Sequence, residues 1–340
     1  LAATRSVAAA GDSSTKRPAE PRIRAEAGKI APTGGPVHLY LVVNPAAGRR
    51  NAVPYAESVA TRLEERGHRV TRYVTKGPGD GAVHASSLGP DACDVLGVVG
   101  GDGTLAELVD SRHDGLPWPI ALVPMGTANL VARELGMPLA RDATATAAAL
   151  DAGVAWPVDV MSLAAQGSPR GRAIANVGVG PDAEIVRTIA DLRAGNQGSG
   201  GYVHWIRPIL DTLRKAKTPA LRIELDGRKA LRGHACIVQN ASNYGGVFAL
   251  SRTAGLASGA LDVVIVRGRT PRDLLAIGIG GLLKRLGGNH LVKIVRADRV
   301  RVVAEQPAAV QADGDPAGTT DLEVERLPGA LRLWKKTASA

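Results

Sequence analysis

Val98-Val99-Gly100-Gly101-Asp102-Gly103-Thr104 runs from an apolar strand pattern straight into a glycine turn that opens a helix pattern. Glycines let a backbone approach a phosphate with no Cβ in the way. A helix start adds free N–H groups and the positive end of the dipole. An aspartate in such a loop repels phosphate. Asp102 therefore belongs beside a Mg²⁺ ion, directly or through water, or acts as a proton acceptor. On that reading Asp102→Asn cripples turnover and leaves the fold intact. A plain Asp-Gly turn is the simpler alternative.

Two further loops share this setting. Asn44-Pro45-Ala46-Ala47-Gly48-Arg49-Arg50 follows the apolar strand Val37 to Val43. Gly48 permits a tight loop, and Arg49 and Arg50 offer charge against a triphosphate. Pro124-Met125-Gly126-Thr127-Ala128-Asn129 follows the short strand Ile120 to Val123. Thr127 and Asn129 bring a hydroxyl and an amide to a helix start, although simple N-capping by Thr127 accounts for the same residue. In open α/β sheets, ligands bind beyond the carboxyl ends of the strands, so the three loops are expected at one crevice.

Outward from these loops, strand and helix patterns alternate. Helices are expected over Pro54 to Arg66, Thr104 to Arg112, Ala128 to Leu135 and Thr144 to Ala152, with strands at His68 to Thr75 and Asp94 to Val99. Apolar strands alternating with helices imply a parallel sheet covered on both faces. From about Val158 strand patterns dominate, and Asp226-Gly227 signals a hairpin. Helical stretches interrupt near Asp182 to Arg193, Tyr202 to Lys215 and Arg272 to Leu286. The expected fold is an α/β nucleotide-binding domain over 37–157, with a C-terminal return at about 321–336. A mainly antiparallel, β-rich substrate domain covers 158–320. Residues 1–36, rich in Ala, Gly, Pro and charge, read as a disordered leader.

Composition bounds the function. The net charge of +10 suits anionic partners such as nucleotide phosphates or an acidic membrane surface, although an Arg-rich composition gives the same charge without them. Cys93 and Cys236 are far apart, no CxxC pair exists, and the seven histidines are scattered, which argues against a zinc site or a disulfide framework. No apolar run approaches the ~18 residues of a membrane span. Dispersed basic residues and few aromatics argue against nucleic acid. A Walker-type GKS/T loop is absent.

The trio NPAAG, GGDGT and PMGTAN resembles the nucleotide-binding set of the diacylglycerol kinase catalytic domain. That family includes soluble bacterial diacylglycerol kinases and the sphingosine and ceramide kinases, with NAD kinases as distant relatives. The likeness runs from about Val37 to Trp334. It takes in Gly178-Val179-Gly180-Pro181-Asp182-Ala183, Asn240 with Tyr244-Gly245-Gly246, Gly259 to Asp262, and Asp313-Gly314-Asp315.

The resemblance implies an ATP- and Mg²⁺-dependent lipid kinase, cytoplasmic and peripheral at the membrane, with homodimers common in the family. Diacylglycerol is the leading substrate. ATP would contact Asn44, Pro45, Ala46, Ala47, Gly48, Arg49, Thr75, Gly100, Gly101, Asp102, Gly103, Thr104, Leu105, Ala106, Gly126, Thr127 and Asn129. Asp102 would serve the metal, and Asp315 would be the proton acceptor, with Asp313 sharing its work. Three positions depart from the pattern: Asp315 stands where the family usually has Glu, Leu130 where it often has Asp, and Ser258 where the loop that holds a structural Mg²⁺ in some members begins with Asp.

Rival readings remain. Gly178 to Ala183 also fits a GxGxxA dinucleotide fingerprint, but Pro181 interrupts it and no acidic strand end follows about twenty residues on. An NAD kinase-like enzyme shares GGDGT. A nucleotide-binding or membrane-surface sensor without catalysis fits the altered Asp315 and Ser258.

Overall fold

The computed structural model describes residues 35–336, apart from 112–114, 169–170, 195–201, 216–218, 229, 247, 284–285 and 287–288. The leader assigned to 1–36 thus lies, but for its last two residues, outside the described residues.

Strands β1 (His38–Val43), β2 (Arg69–Val74), β3 (Val95–Gly100) and β4 (Ile120–Pro124) pair in parallel in the order β2-β1-β3-β4. Every residue of β3 and β4 is buried, as a sheet covered on both faces requires. The coverings are α1 (Ala52–Glu64), α2 (Asp80–Ser87), α3 (Asp102–Asp110), α4 (Leu130–Glu134) and α5 (Ala143–Asp151). The spacing in α1 shows why it forms: Ala52, Ala56, Val59, Ala60 and Leu63 make one buried stripe.

The second half is antiparallel. It holds β5 (Gly153–Gln166), β6 (Gly171–Ala173), β7 (Asn176–Val179), α6 (Pro181–Ala194), α7 (Tyr202–Lys215), β8 (Leu221–Leu225), β9 (Leu231–Gly233), β10 (Ala235–Gln239) and β11 (Leu261–Val266). α8 (Pro271–Leu282), β12 (Val292–Ala297), β13 (Arg299–Ala304), β14 (Ala309–Ala312) and β15 (Asp315–Lys336) complete it. The fold class is therefore the expected one: an N-terminal α/β parallel sheet followed by a β-rich antiparallel part.

The long strand β15 joins the two. It runs antiparallel to β5 from Thr319↔Gln166 to Lys336↔Gly153, and its far end lies beside β4 through Leu333↔Ile120. Leu331, Leu333 and Trp334 enter the core of the first sheet, while Leu322 and Val324 enter the second. Among the described residues no helix is long and apolar enough to cross a membrane.

Trp334 fastens that joint. Its indole N–H donates to the Leu150 carbonyl at 2.7 Å, and Gly153 leaves room for the ring. A Cβ on Gly153 would fall inside the indole. Gly153→Ala is expected to destabilise the chain by about 1–3 kcal/mol, read by urea unfolding. An unchanged midpoint would remove this contact from the account.

Sequence periodicity placed helix ends imperfectly. α3 begins at Asp102 rather than Thr104, and α4 spans Leu130–Glu134 within the expected Ala128 to Leu135. α8 stops at Leu282 rather than Leu286. α2 was not anticipated, because Asp80 to Ser87 carries no apolar stripe. It docks through Gly81, whose Cα faces Val42 and Thr75 so closely that a Cβ would lie 3.1–3.2 Å from them.

Candidate active site

The three glycine loops do converge at the carboxyl ends of β1, β3 and β4. Gly101 and Gly126 pack backbone to backbone: a Cβ on Gly126 would lie 2.6 Å from the Gly101 Cα. These glycines first serve to let two loops touch. Gly103, by contrast, faces open space, and the start of α3 carries no side-chain cap. Its first-turn N–H groups are thus suited to an anion. Asn44 braces the first loop, donating to Thr104 Oγ1 at 3.1 Å and accepting from the Ala46 N–H at 3.0 Å.

Beside α3 lies a cavity of about 190 Å³, lined by Asn44, Pro45, Ala46, Thr75 and Thr104 together with Lys76, Pro78, Gly81, Glu107 and Leu108. Five expected contact residues thus share one wall. Lys76 and Glu107 were missed, although Lys76 directly follows Thr75. Gly48 takes φ +61° and its Cα faces Met125 and the Arg141 guanidinium. Nothing in the residues around Gly48 announces Arg141 at this loop. The side chains of Arg49 and Arg50 lie outside the described residues.

Several loop residues have partners within the protein. Leu105 is only 1% exposed and belongs to the core of the first sheet, not to a nucleotide surface. Asn129 holds its own loop: it accepts from the Gly126 N–H and donates to the Gly126 carbonyl, each at 2.9 Å. Its φ of 47° suits asparagine. Thr127 does not cap α4. That role falls to Asp102, whose two carboxylate oxygens accept from the N–H groups of Leu130 at 3.0 Å and Val131 at 3.2 Å.

Asp102 therefore stabilises the start of α4 from the start of α3, and magnesium would meet it only through its remaining lone pairs. Burial raises its pKa, against the pull of those amides. An asparagine here would turn an NH₂ toward one of the N–H donors. Asp102→Asn is thus expected to cost about 1–3 kcal/mol of stability as well as turnover, contrary to the expectation from sequence. Full stability in urea alongside lost turnover would restore the purely chemical role.

Asp313 is likewise a brace. Its carboxylate accepts from the N–H groups of Ile174, Ala175 and Asn176 at 2.7, 2.8 and 2.9 Å, with φ at +50°. A carboxylate holding three amides is poorly placed to take a substrate proton. Asp315, two residues on, is exposed at the start of β15. This turn of the second half is tied to the first through β6: Asp110 at the end of α3 accepts from the Arg172 N–H at 2.8 Å, and Asp313 holds the Ile174 N–H two residues on.

Behind the turn lies a polar cluster. Gln311 donates to Asn176 Oδ1 and Asp182 Oδ2, each at 2.9 Å, and accepts from the Gly314 N–H at 3.0 Å. Gly178 is glycine because the Asp182 carboxylate occupies the place of its Cβ. The dinucleotide-like stretch is thus an anchor for β14.

Burial pushes both Asp182 and Asp313 up to about 6. A carboxyl with a raised folded pKa binds its proton more tightly when folded. Its stabilising effect is whole below the ordinary 3.8 and is lost as pH rises through about 6. His38, lowered by burial, opposes this near neutrality. A variant therefore isolates the effect: Asp182→Asn should gain about 1–2 kcal/mol on wild type between pH 5 and pH 7. A constant difference across that range would contradict it.

The loop at Ser258 is held by the protein's own side chains. Ser258 turns its hydroxyl to the Ala260 carbonyl at 2.8 Å. Arg296 donates to the Ser258 carbonyl at 2.6 Å and lies 3.4 Å from Asp262 Oδ1, while Asp262 Oδ2 accepts from Ser251 and Thr253. The cation beside the Asp262 carboxylate is the Arg296 guanidinium.

Comparison with known proteins identifies the class. Residues 38–163 match the diacylglycerol kinase catalytic domain, and residues 175–335 match the YegS C-terminal NAD kinase beta sandwich-like domain. A diacylglycerol kinase of Bacillus subtilis strain 168 is 24% identical over 283 residues, covering 82% of this chain and 89% of its own. A Xanthomonas euvesicatoria protein named "Probable lipid kinase YegS-like" is 29% identical over 292 residues, covering 82% and 90%. A crystal structure of a diacylglycerol kinase from Bacillus anthracis shares the fold, with a TM-score of 0.66 at 20% identity over 89% of this chain and 98% of that one. The chain belongs to the diacylglycerol kinase catalytic-domain family. It is a phosphotransferase with an alcohol group as acceptor, of the lipid-kinase class.

Proposed function

We propose that the chain transfers the γ-phosphoryl group of ATP to the free hydroxyl of diacylglycerol, giving phosphatidic acid and ADP, as a peripheral protein at a membrane surface. The observation that carries this reading is the uncapped start of α3, with Gly103 open to space, beside a cavity lined by the loops after β1, β2 and β3. It supports a triphosphate held at the amides of α3, to which the second half of the chain would bring the lipid hydroxyl and a base.

The lipid hydroxyl gives its proton to Asp315 as its oxygen bonds to the γ-phosphorus and the bond to ADP breaks. The first-turn amides of α3, at Gly103 and Thr104, hold phosphate oxygens, and Thr75 and Lys76 bound the cavity beside them. Mg²⁺, when bound, neutralises charge on the phosphates; Asp102 would reach it through water. Asp313 and Gln311 fix the turn that presents Asp315. Most of the rate enhancement is positioning and charge stabilisation.

The test is transfer of label from γ-labelled ATP to a lipid panel in mixed micelles: diacylglycerol, monoacylglycerol, a sphingosine-type base and phosphatidylglycerol. Labelled phosphatidic acid as the dominant product supports the proposal. A different labelled lipid overturns the substrate. Transfer only to a soluble acceptor supports the NAD kinase-like reading, and ATP bound without transfer supports the sensor.

A further inference from the structure

Helix α8 is apolar on two faces, and only one of them is packed. Ile277 and Gly281 on its inner face lie against Phe248, Leu250 and Leu286. On the outer face Leu275, Ile279 and Leu282, with Leu283 at the C-cap, are 49%, 51%, 54% and 58% exposed. Their spacing of i, i+4, i+7 and i+8 draws one stripe along the helix. Single exposed apolar residues need no explanation, but a contiguous stripe marks an interaction surface.

The rim of the stripe is basic. Arg267, Arg269 and Arg272 are exposed at the start of α8, and Lys284 and Arg285 follow it in sequence. Asp273 is the one acid within α8, and its carboxylate is spent on the capping box with Thr270. On α7, which packs against α8, the side chains of Arg207 and Arg214 are 94% and 74% exposed and share Asp211. Apolar centre and cationic edge together match an anionic bilayer, whose phosphates take the arginines while the leucines enter the acyl boundary. A second copy docked on this face would set like charges against each other.

We propose that the outer face of α8 docks the chain on an anionic lipid surface. This rests on the lipid-kinase reading, because a two-chain lipid substrate stays in its bilayer. The test uses the full chain and sedimentation with vesicles of phosphatidylglycerol and phosphatidylcholine, or of phosphatidylcholine alone. Wild type is expected to bind the anionic vesicles, less so as salt rises. Leu275→Ser/Ile279→Ser/Leu282→Ser should lower that binding roughly tenfold or more, with the unfolding midpoint unchanged and turnover of a short-chain, water-soluble diacylglycerol retained.

Should the triple variant unfold, Arg269→Ser/Arg272→Ser reads the same face through charge alone. Absence of wild-type binding, or equal binding by the variants, overturns the proposal. So does a wild-type dimer that the variant dissolves while vesicle binding persists. Sedimentation needs no turnover, so a failed kinase assay with α8-dependent binding would sink the catalytic reading and leave the docking face standing.

Discussion

Asp315→Asn is expected to lower lipid phosphorylation by roughly 10²–10⁴-fold, with ATP affinity and the unfolding midpoint close to wild type. The structure separates this residue from its neighbour. Asp313 spends its carboxylate on three amides leading into β7, and Gly314 donates to Gln311, so the turn is fixed from both sides. Asp315 follows that fixed turn and is exposed at the start of β15. An asparagine keeps its size and cannot accept the proton. Asp315→Glu supplies the carboxylate one methylene longer, as is usual in the family, and should keep most of the activity. Loss of stability in Asp315→Asn to match its loss of turnover would make the residue structural instead.

Asp313→Asn should have the opposite signature: a loss of about 2–4 kcal/mol in stability, with activity falling because the turn loosens. Asparagine tolerates the positive φ of 50°, so the change tests the hydrogen bonds and not the backbone. Its single oxygen cannot serve three donors, and its NH₂ faces at least one of them. Asp313→Ala should lose more, since all three amides go unpaired. Urea unfolding read beside ATP affinity separates the cases. A stable Asp313→Asn with abolished transfer would return Asp313 to the chemistry.

The glycine loops were legible because strand, glycine and helix follow one another within a few residues. Their convergence needed only the rule that ligands sit at the carboxyl ends of parallel strands. Roles inside the loops were not legible. Asn129, Asp102 and Leu105 all stand in the right loops, yet one grips its own backbone, one caps a neighbouring helix and one enters the core. A sequence gives the residue type at a loop but not the direction of its side chain.

Long-range ties were hidden for the same reason. Glu134, at the end of α4, accepts from the N–H groups of Ser242 at 2.8 Å and Leu256 at 2.6 Å, residues 108 and 122 positions away. Arg326 bridges Asp159 at 3.0 Å and Asp298 at 2.7 Å in the same manner. Asn240 stood in a family motif, and the fold shows its amide donating to the carbonyls of Asp159 and Ile174 at 2.8 and 2.7 Å. The Glu134 contacts join the parallel and antiparallel parts, the others tie strands within the antiparallel part, and no periodicity announces any of them.

On the proposed function, ATP turnover serves a lipid hydroxyl. The most direct test is ADP release by wild type and Asp315→Asn, with and without diacylglycerol in anionic vesicles. Wild type is expected to release ADP only when the lipid is present, one for one with phosphatidic acid, and the variant to release almost none. ADP release that ignores the lipid, or that Asp315→Asn leaves intact, would contradict it.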